Sequence, residues 1–175
     1  RADFCVGYFN LRGWRSLSDG VDRWPGGTGH ACRLLIGMHM TPGEELRRVL
    51  RAGGDDDALD NQTAIREKRR MAEEFREQLT YGAPTNPDES ALRQLAAQLR
   101  ANQLVVKVYL RHLLHAKLYL LYRQDPVNPV IAYLGSSNLT LAGLVHQGEL
   151  NVDVLDGDAC MKLVNWFDDR WRDRW

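Results

Sequence analysis

Apolar positions along the chain fall into short blocks that alternate between a strand period and a helix period. Asp3–Phe9 gathers Phe4, Cys5, Val6, Tyr8 and Phe9 around one glycine and predicts a buried strand. The polar stretch from Asn10 to Trp24 admits a short helix through Trp14 and Leu17, and Trp24-Pro25-Gly26-Gly27-Thr28-Gly29 closes it as a loop. Ala31–Met38 is a second buried strand. Thr41-Pro42-Gly43-Glu44 then starts a helix to about Arg51, followed by a Gly53–Asp57 loop. Asn61–Leu79 predicts a long helix with Ile65, Ala72, Phe75 and Leu79 on one face and mixed charges elsewhere. After the Pro84–Pro87 break, Asp88-Glu89-Ser90 opens another helix carrying Leu92, Leu95, Ala96 and Leu99.

The second half is strand-rich. Leu104–Leu110 and Leu114–Tyr122 are strands joined by the short link Arg111-His112-Leu113, and the turn Asp125–Pro129 sets Val130–Leu134 antiparallel to the second of them. Gly148–Leu155 alternates strictly, with Leu150, Val152 and Val154 on an expected buried face and Glu149, Asn151 and Asp153 on the other. Asp158–Trp171 closes as an amphipathic helix through Cys160, Leu163, Val164, Phe167 and Trp171. Strands and helices intermingle, so the expected fold is α/β: one mixed β-sheet flanked by helices on both faces. All 175 residues are expected to form a single domain, and the start at Arg1, directly before a strand, suggests a piece of a longer protein.

Composition narrows the function classes. Apolar residues make up 44% and charged residues 26%, an ordinary globular balance. No apolar run approaches the ~20 residues that span a bilayer, so no membrane partner is expected. The 23 basic and 23 acidic residues cancel, so any contact with nucleic acid must use a local patch. The three cysteines, Cys5, Cys32 and Cys160, are widely spaced and suit buried thiols of a reducing, cytoplasmic setting better than disulfides or a zinc site. Asp55-Asp56-Asp57 lacks calcium-loop spacing, and the Gly26–Gly29 loop lacks the Gly-Lys-Ser/Thr ending of a phosphate loop.

Chemistry concentrates in His115–Asn138. In a strand, residues i and i+2 point to one face about 6.6 Å apart, so His115 and Lys117 project together, with Tyr119 next. A second apolar run ends in Gly135-Ser136-Ser137-Asn138. A neutral imidazole, an ammonium and an amide suit a phosphodiester: the cation and amide hold non-bridging oxygens while the imidazole attacks phosphorus or moves a proton. This chemistry requires no metal or other cofactor. His112, His30 and His39 lack partners at ligand spacing, His146, close before Glu149, suits either the pocket lining or a plain loop position, and the two serines lack the Gly-x-Ser-x-Gly context of a hydrolase elbow. Trp166, Trp171 and Trp175 suit core or dimer contacts as well as base stacking.

His115-x-Lys117, the apolar strand, Gly135-Ser136-Ser137-Asn138-Leu139-Thr140 and Glu149 together resemble the HKD motif of the phospholipase D superfamily. The N-terminal runs DFCVGYFNLRGW and CRLLIG resemble the first strands of the phospholipase D-like domains found in front of bacterial helicases. The motif's frequent aspartate, five residues after the lysine, is replaced here by Tyr122, with Asp125 three further on. That departure fits the nuclease branch and counts against a lipid phospholipase.

The resemblance implies a phospholipase D/nuclease-like α-β-α sandwich and a metal-independent phosphodiesterase acting on nucleic acid, with DNA the expected partner. It implies His115 as nucleophile or acid, Lys117 and Asn138 as phosphate ligands, and Glu149 as the acceptor that fixes the histidine tautomer. Ser136, Ser137 and Thr140 would line the substrate pocket. One motif supplies one histidine, so a C2 homodimer with a shared site is implied, and a linked helicase region is a further expected partner. The rival readings are a non-catalytic dimerisation or DNA-docking domain, a lipid phosphodiesterase, and an unrelated α/β binding domain.

Overall fold

The computed structural model describes residues 1–37, 65, 69, 73, 85–109, 114–140, 144 and 149–173. The helix expected after Thr41, the Gly53–Asp57 loop, most of the Asn61–Leu79 helix, the Arg111–Leu113 link, His39, His146 and Trp175 lie outside them. Of the long helix, Ile65, Arg69 and Glu73 are described, and all three are helical and exposed.

Six strands form one mixed sheet: β1 (Ala2–Val6), β2 (Cys32–Ile36), β3 (Leu104–Val108), β4 (Leu118–Tyr122), β5 (Val130–Gly135) and β6 (Asn151–Val154), in the order β3-β2-β1-β4-β5-β6. The β1–β2 and β2–β3 pairs are parallel; β1–β4, β4–β5 and β5–β6 are antiparallel. Helices α1 (Leu11–Val21) and α2 (Asn86–Arg100) cover one face, and α3 (Gly157–Arg172) covers the other. This is the expected α/β sandwich.

Alternation along the central strands builds both cores. Phe4, Val6, Leu34 and Ile36 meet Leu11, Trp14, Ala91 and Leu95 on one face, while Cys5, Leu35, Leu118 and Leu120 meet Cys160, Val164 and Phe167 on the other. All three cysteines are free and buried. Gln98, fully buried on α2, accepts from the Trp14 indole at 2.9 Å and donates to the Ser18 carbonyl at 2.8 Å, locking α2 to α1. On the opposite face Arg33 makes two bonds to buried Asp3 (2.6 and 2.5 Å) and approaches Asp168 of α3 at 2.8 Å. Burial opposes the Arg33 charge, but the two carboxylates outweigh it and raise its pKa. The starts of these three helices are capped: by Asn10 on α1, by a Thr85/Asp88 capping box on α2 and by Asp156 on α3.

Sheet order departs from chain order after β3: β4 lies beyond β2 and β1. At the carboxyl end of β2, Tyr109 N–H bonds to Ile36 O and Leu114 N–H to Gly37 O. A Cβ at Gly37 would stand only 1.9 Å from Leu114 O, so that contact requires glycine. Two expectations change as well. The strand holding Tyr122 begins at Leu118, so His115 and Lys117 sit in its lead-in rather than within it. Finally, β6 alternates as predicted, but its apolar side is open: Leu150 is 76% and Val152 56% exposed. Val152 pairs with Leu134 at the sheet edge.

Candidate active site

The lead-in to β4 and the carboxyl ends of β1 and β5 converge at one end of the sheet. They enclose an open pocket of about 370 Å³ lined by His115, Lys117, Gly135, Ser136 and Asn138. Four of the seven residues singled out from the sequence, His115, Lys117, Ser136 and Asn138, therefore share one pocket.

Lys117 Nζ lies 2.7 Å from His115 Nε2 and 3.3 Å from its Nδ1. An ammonium can only donate, so the nearer nitrogen offers a lone pair. His115 is exposed whereas Lys117 is buried, which leaves the imidazole facing the opening. Burial lowers the Lys117 pKa from its ordinary value, and the negative charge of Glu149 works against the decrease. Glu149 thus acts electrostatically on the pocket cation. The Cys5 thiol is pushed up to about 12, chiefly by burial, and is an inert floor beneath the lysine.

The Gly135–Asn138 turn is held from several sides. A Cβ at Gly135 would meet Asn151 Oδ1 at 2.1 Å and Leu150 O at 2.3 Å, so β5 and β6 close only around glycine. Ser136 N–H donates to Leu150 O at 3.1 Å, and Ser136 Oγ accepts from Leu150 N–H at 3.1 Å. Ser137 is buried; its Oγ accepts from Asn151 Nδ2 at 2.6 Å and its carbonyl accepts from the Tyr119 hydroxyl at 2.8 Å. Burial, then Glu149 and Cys5, raises the Tyr119 pKa, which keeps that hydroxyl a donor. Thr140 donates its N–H to Asn138 O and packs its backbone against Gly13 of α1, where a Cβ would stand 2.6 Å from Thr140 Cα. Ser137 and Thr140 therefore support the turn and are absent from the pocket lining.

The β1–α1 connection was not singled out in the sequence for a site role, yet it is tied to the Asn138 turn. Tyr8 N–H donates to Asn138 Oδ1 at 3.0 Å, Asn10 N–H donates to Leu139 O at 3.1 Å, and Phe9 bridges Leu139. The signal available was Gly7, a glycine inside an otherwise apolar strand pattern, which often marks close approach of another group. Tyr122 stands at the far end of β4, about 16 Å along the strand from the lead-in, where the Arg1 guanidinium covers its ring at 4.2 Å. Asp125 accepts from Val127 and Asn128 N–H groups in the following turn, which lowers its pKa. Neither residue lines the pocket. Among the described residues no group of three or more His, Cys, Asp or Glu could hold a metal ion, and no helix is long and apolar enough to cross a membrane.

Comparison with known proteins gives a family and a likeness to solved structures. The family model described as "Cardiolipin synthase, PLD-like domain" matches residues 29–171, most of the chain. NucT from Helicobacter pylori is similar over 97% of this chain and 77% of its own, at 9% identity and a TM-score of 0.47. No curated protein matches.

Proposed function

The chain belongs to the phospholipase D-like domain family, and on that footing we propose that it is a metal-independent phosphodiesterase acting on nucleic acid, with DNA the favoured substrate. The observation that carries this reading is the pocket in which His115, Lys117 and Asn138 converge, with the lysine amine 2.7 Å from an imidazole nitrogen.

In this reading Lys117 and Asn138 bind the two non-bridging oxygens. The incoming phosphate takes over the lysine's hydrogen bond and frees the His115 lone pair. That nitrogen attacks phosphorus, a P–N bond forms, and the P–O bond to the leaving group breaks as a second histidine gives the departing oxygen its proton. The second histidine, now neutral, takes a proton from water; the hydroxide oxygen attacks phosphorus and the P–N bond breaks. A phosphate monoester leaves and both imidazoles return to their starting states. Glu149, whose charge reaches Lys117, would hold the remaining His115 ring proton.

One imidazole cannot be both nucleophile and protonated acid in a single step, so the second comes from another copy related by a two-fold axis. The open apolar edge formed by Leu134, Leu150 and Val152 continues directly from Gly135 and Ser136 of the pocket, and it supports this face as the seat of the second copy. The position of the chain beside a helicase region belongs to the same proposal.

The test is cleavage of single- and double-stranded DNA, RNA and a chromogenic phosphodiester in EDTA, comparing the parent with His115→Ala. Cleavage that requires a divalent metal, or that survives His115→Ala, refutes the mechanism. Sedimentation of the parent and of Val152→Glu checks the shared site: a parent that is monomeric at all concentrations refutes it.

A further inference from the structure

We infer that the Gly7–Tyr8 peptide is a positioning element of the pocket: its N–H sets which end of the Asn138 amide faces substrate, and its missing Cβ leaves that amide in its seat. The inference rests on the proposed function only for its effect on turnover. Residues 29–171 carry the family match, so this peptide lies outside it.

The orientation argument is one of donors and acceptors. Tyr8 N–H can only donate, and it lies 3.0 Å from the Asn138 side-chain oxygen. Flipping the amide would set its NH₂ group against another donor, which a partly buried site cannot tolerate. The oxygen therefore stays on the protein side, and Nδ2, the only part of the group that can bind a phosphate oxygen, is the end presented to the pocket. Without the tie, the amide turns freely and offers an acceptor to an anion for part of the time.

The steric argument points to the same peptide. A Cβ at Gly7 would stand 3.3 Å from Asn138 Oδ1, 3.4 Å from His115 Cδ2 and 4.0 Å from Lys117 Nζ. All three proposed phosphate-handling side chains meet over this one missing methyl. Gly7 does not have a positive φ, so alanine is acceptable to the backbone and the strain falls on the pocket rather than on the strand.

The experiment is a double-mutant cycle with Gly7→Ala and Asn138→Ala, read as kcat and KM on a chromogenic phosphodiester. Gly7→Ala is expected to lower kcat about tenfold or more in the parent, since a displacement well under 1 Å at reacting groups is costly. In the Asn138→Ala background the same change is expected to cost at most about threefold, because the group it displaces is gone. Equal losses in both backgrounds overturn the inference. A second measurement is independent of turnover: hydrogen exchange of the Tyr8 amide. It should be slow in the parent and in Asn138→Asp, which keeps the acceptor, and at least about tenfold faster in Asn138→Leu. Fast exchange in the parent, or equal exchange in all three, overturns the inference. A parent with a slow Tyr8 amide and no turnover on any phosphodiester refutes the proposed function while leaving the seating of Asn138 intact.

Discussion

Replacing Lys117 with methionine should separate the chemistry of the pocket from the stability of the fold. The two side chains have similar length, so the apolar stem keeps its place. Lys117 is 8% exposed, and burial is the largest influence on its amine, lowering its pKa from 10.5. Glu149 recovers only part of that loss. A cation whose pKa falls on folding costs the folded state free energy while it is charged. Exchanging buried ionic groups for well-packed apolar ones is often neutral or stabilising by about 1–4 kcal/mol. For one amine at a pocket mouth the low end applies, about 1 kcal/mol, or about 2–4 °C in Tm for a chain of this size. The same change removes the proposed phosphate cation, and losing one preorganised donor lowers kcat by about 100- to 1000-fold. Activity and Tm should therefore move in opposite directions. Between the lowered folded pKa and 10.5 the unfolded chain holds the proton that the folded chain has lost, so the parent gains stability as pH rises through that window. The methionine variant should lack that increment. Turnover of a chromogenic phosphodiester in EDTA and thermal unfolding from pH 7 to pH 10.5 measure both effects. A Tm that falls by several degrees, or turnover within about threefold of the parent, refutes the reasoning.

Three further outcomes follow from the contacts. Tyr119→Phe removes the donor to the buried Ser137 carbonyl and should destabilise by about 1–2 kcal/mol, with a fall in kcat that denaturation and steady-state kinetics separate; an unchanged kcat argues that the turn holds without it. Gln98→Leu leaves the Trp14 indole N–H unpaired in the α1–α2 seam and removes one of the two donors to the Ser18 carbonyl, which keeps the Asp22 N–H; it should cost about 2 kcal/mol, roughly 4–8 °C in calorimetry. Gly20→Ala projects into open space on an exposed part of α1 and should stabilise by about 0.5 kcal/mol in urea unfolding; a loss would mean that this helical turn is not formed in solution.

The two cores were legible because alternation and helical spacing report burial directly. Phe4/Cys5 and Leu34/Leu35 divide between the faces of the sheet as their period-two pattern requires. Sheet order was not legible. A link as short as Arg111–Leu113 suggests adjacent strands, and only the pairing of β4 with β1 shows that the chain has crossed to the far side of β1. The edge at β6 shows the same limit: alternation of Leu150, Val152 and Val154 marks which side is apolar but says nothing about whether a helix reaches it. The ion pair of Asp3 with Arg33 was hidden for another reason. Each residue sits as one polar position within an apolar strand, and only the parallel register that places Asp3 beside Arg33 makes a pair of them.

The Gly135–Asn138 turn shows why a short motif can identify a pocket and still misassign its members. Four adjacent residues carry four different constraints. Gly135 leaves room for the crossing backbone of Leu150 and Asn151, Ser136 ties that backbone to the pocket rim, and Ser137 turns inward to Asn151 and Tyr119. Only Asn138 presents a side chain whose free end can meet an anion, because Tyr8 holds the other end. A sequence pattern records that all four are restricted, but restriction by packing and restriction by chemistry look alike in one dimension. They separate experimentally. Ser137→Ala removes a hydroxyl from a buried bond and should act mainly on stability, whereas Asn138→Ala removes a donor from a solvent-facing pocket and should act mainly on turnover. If both changes moved kcat equally with Tm unchanged, the inward placement of Ser137 would be wrong.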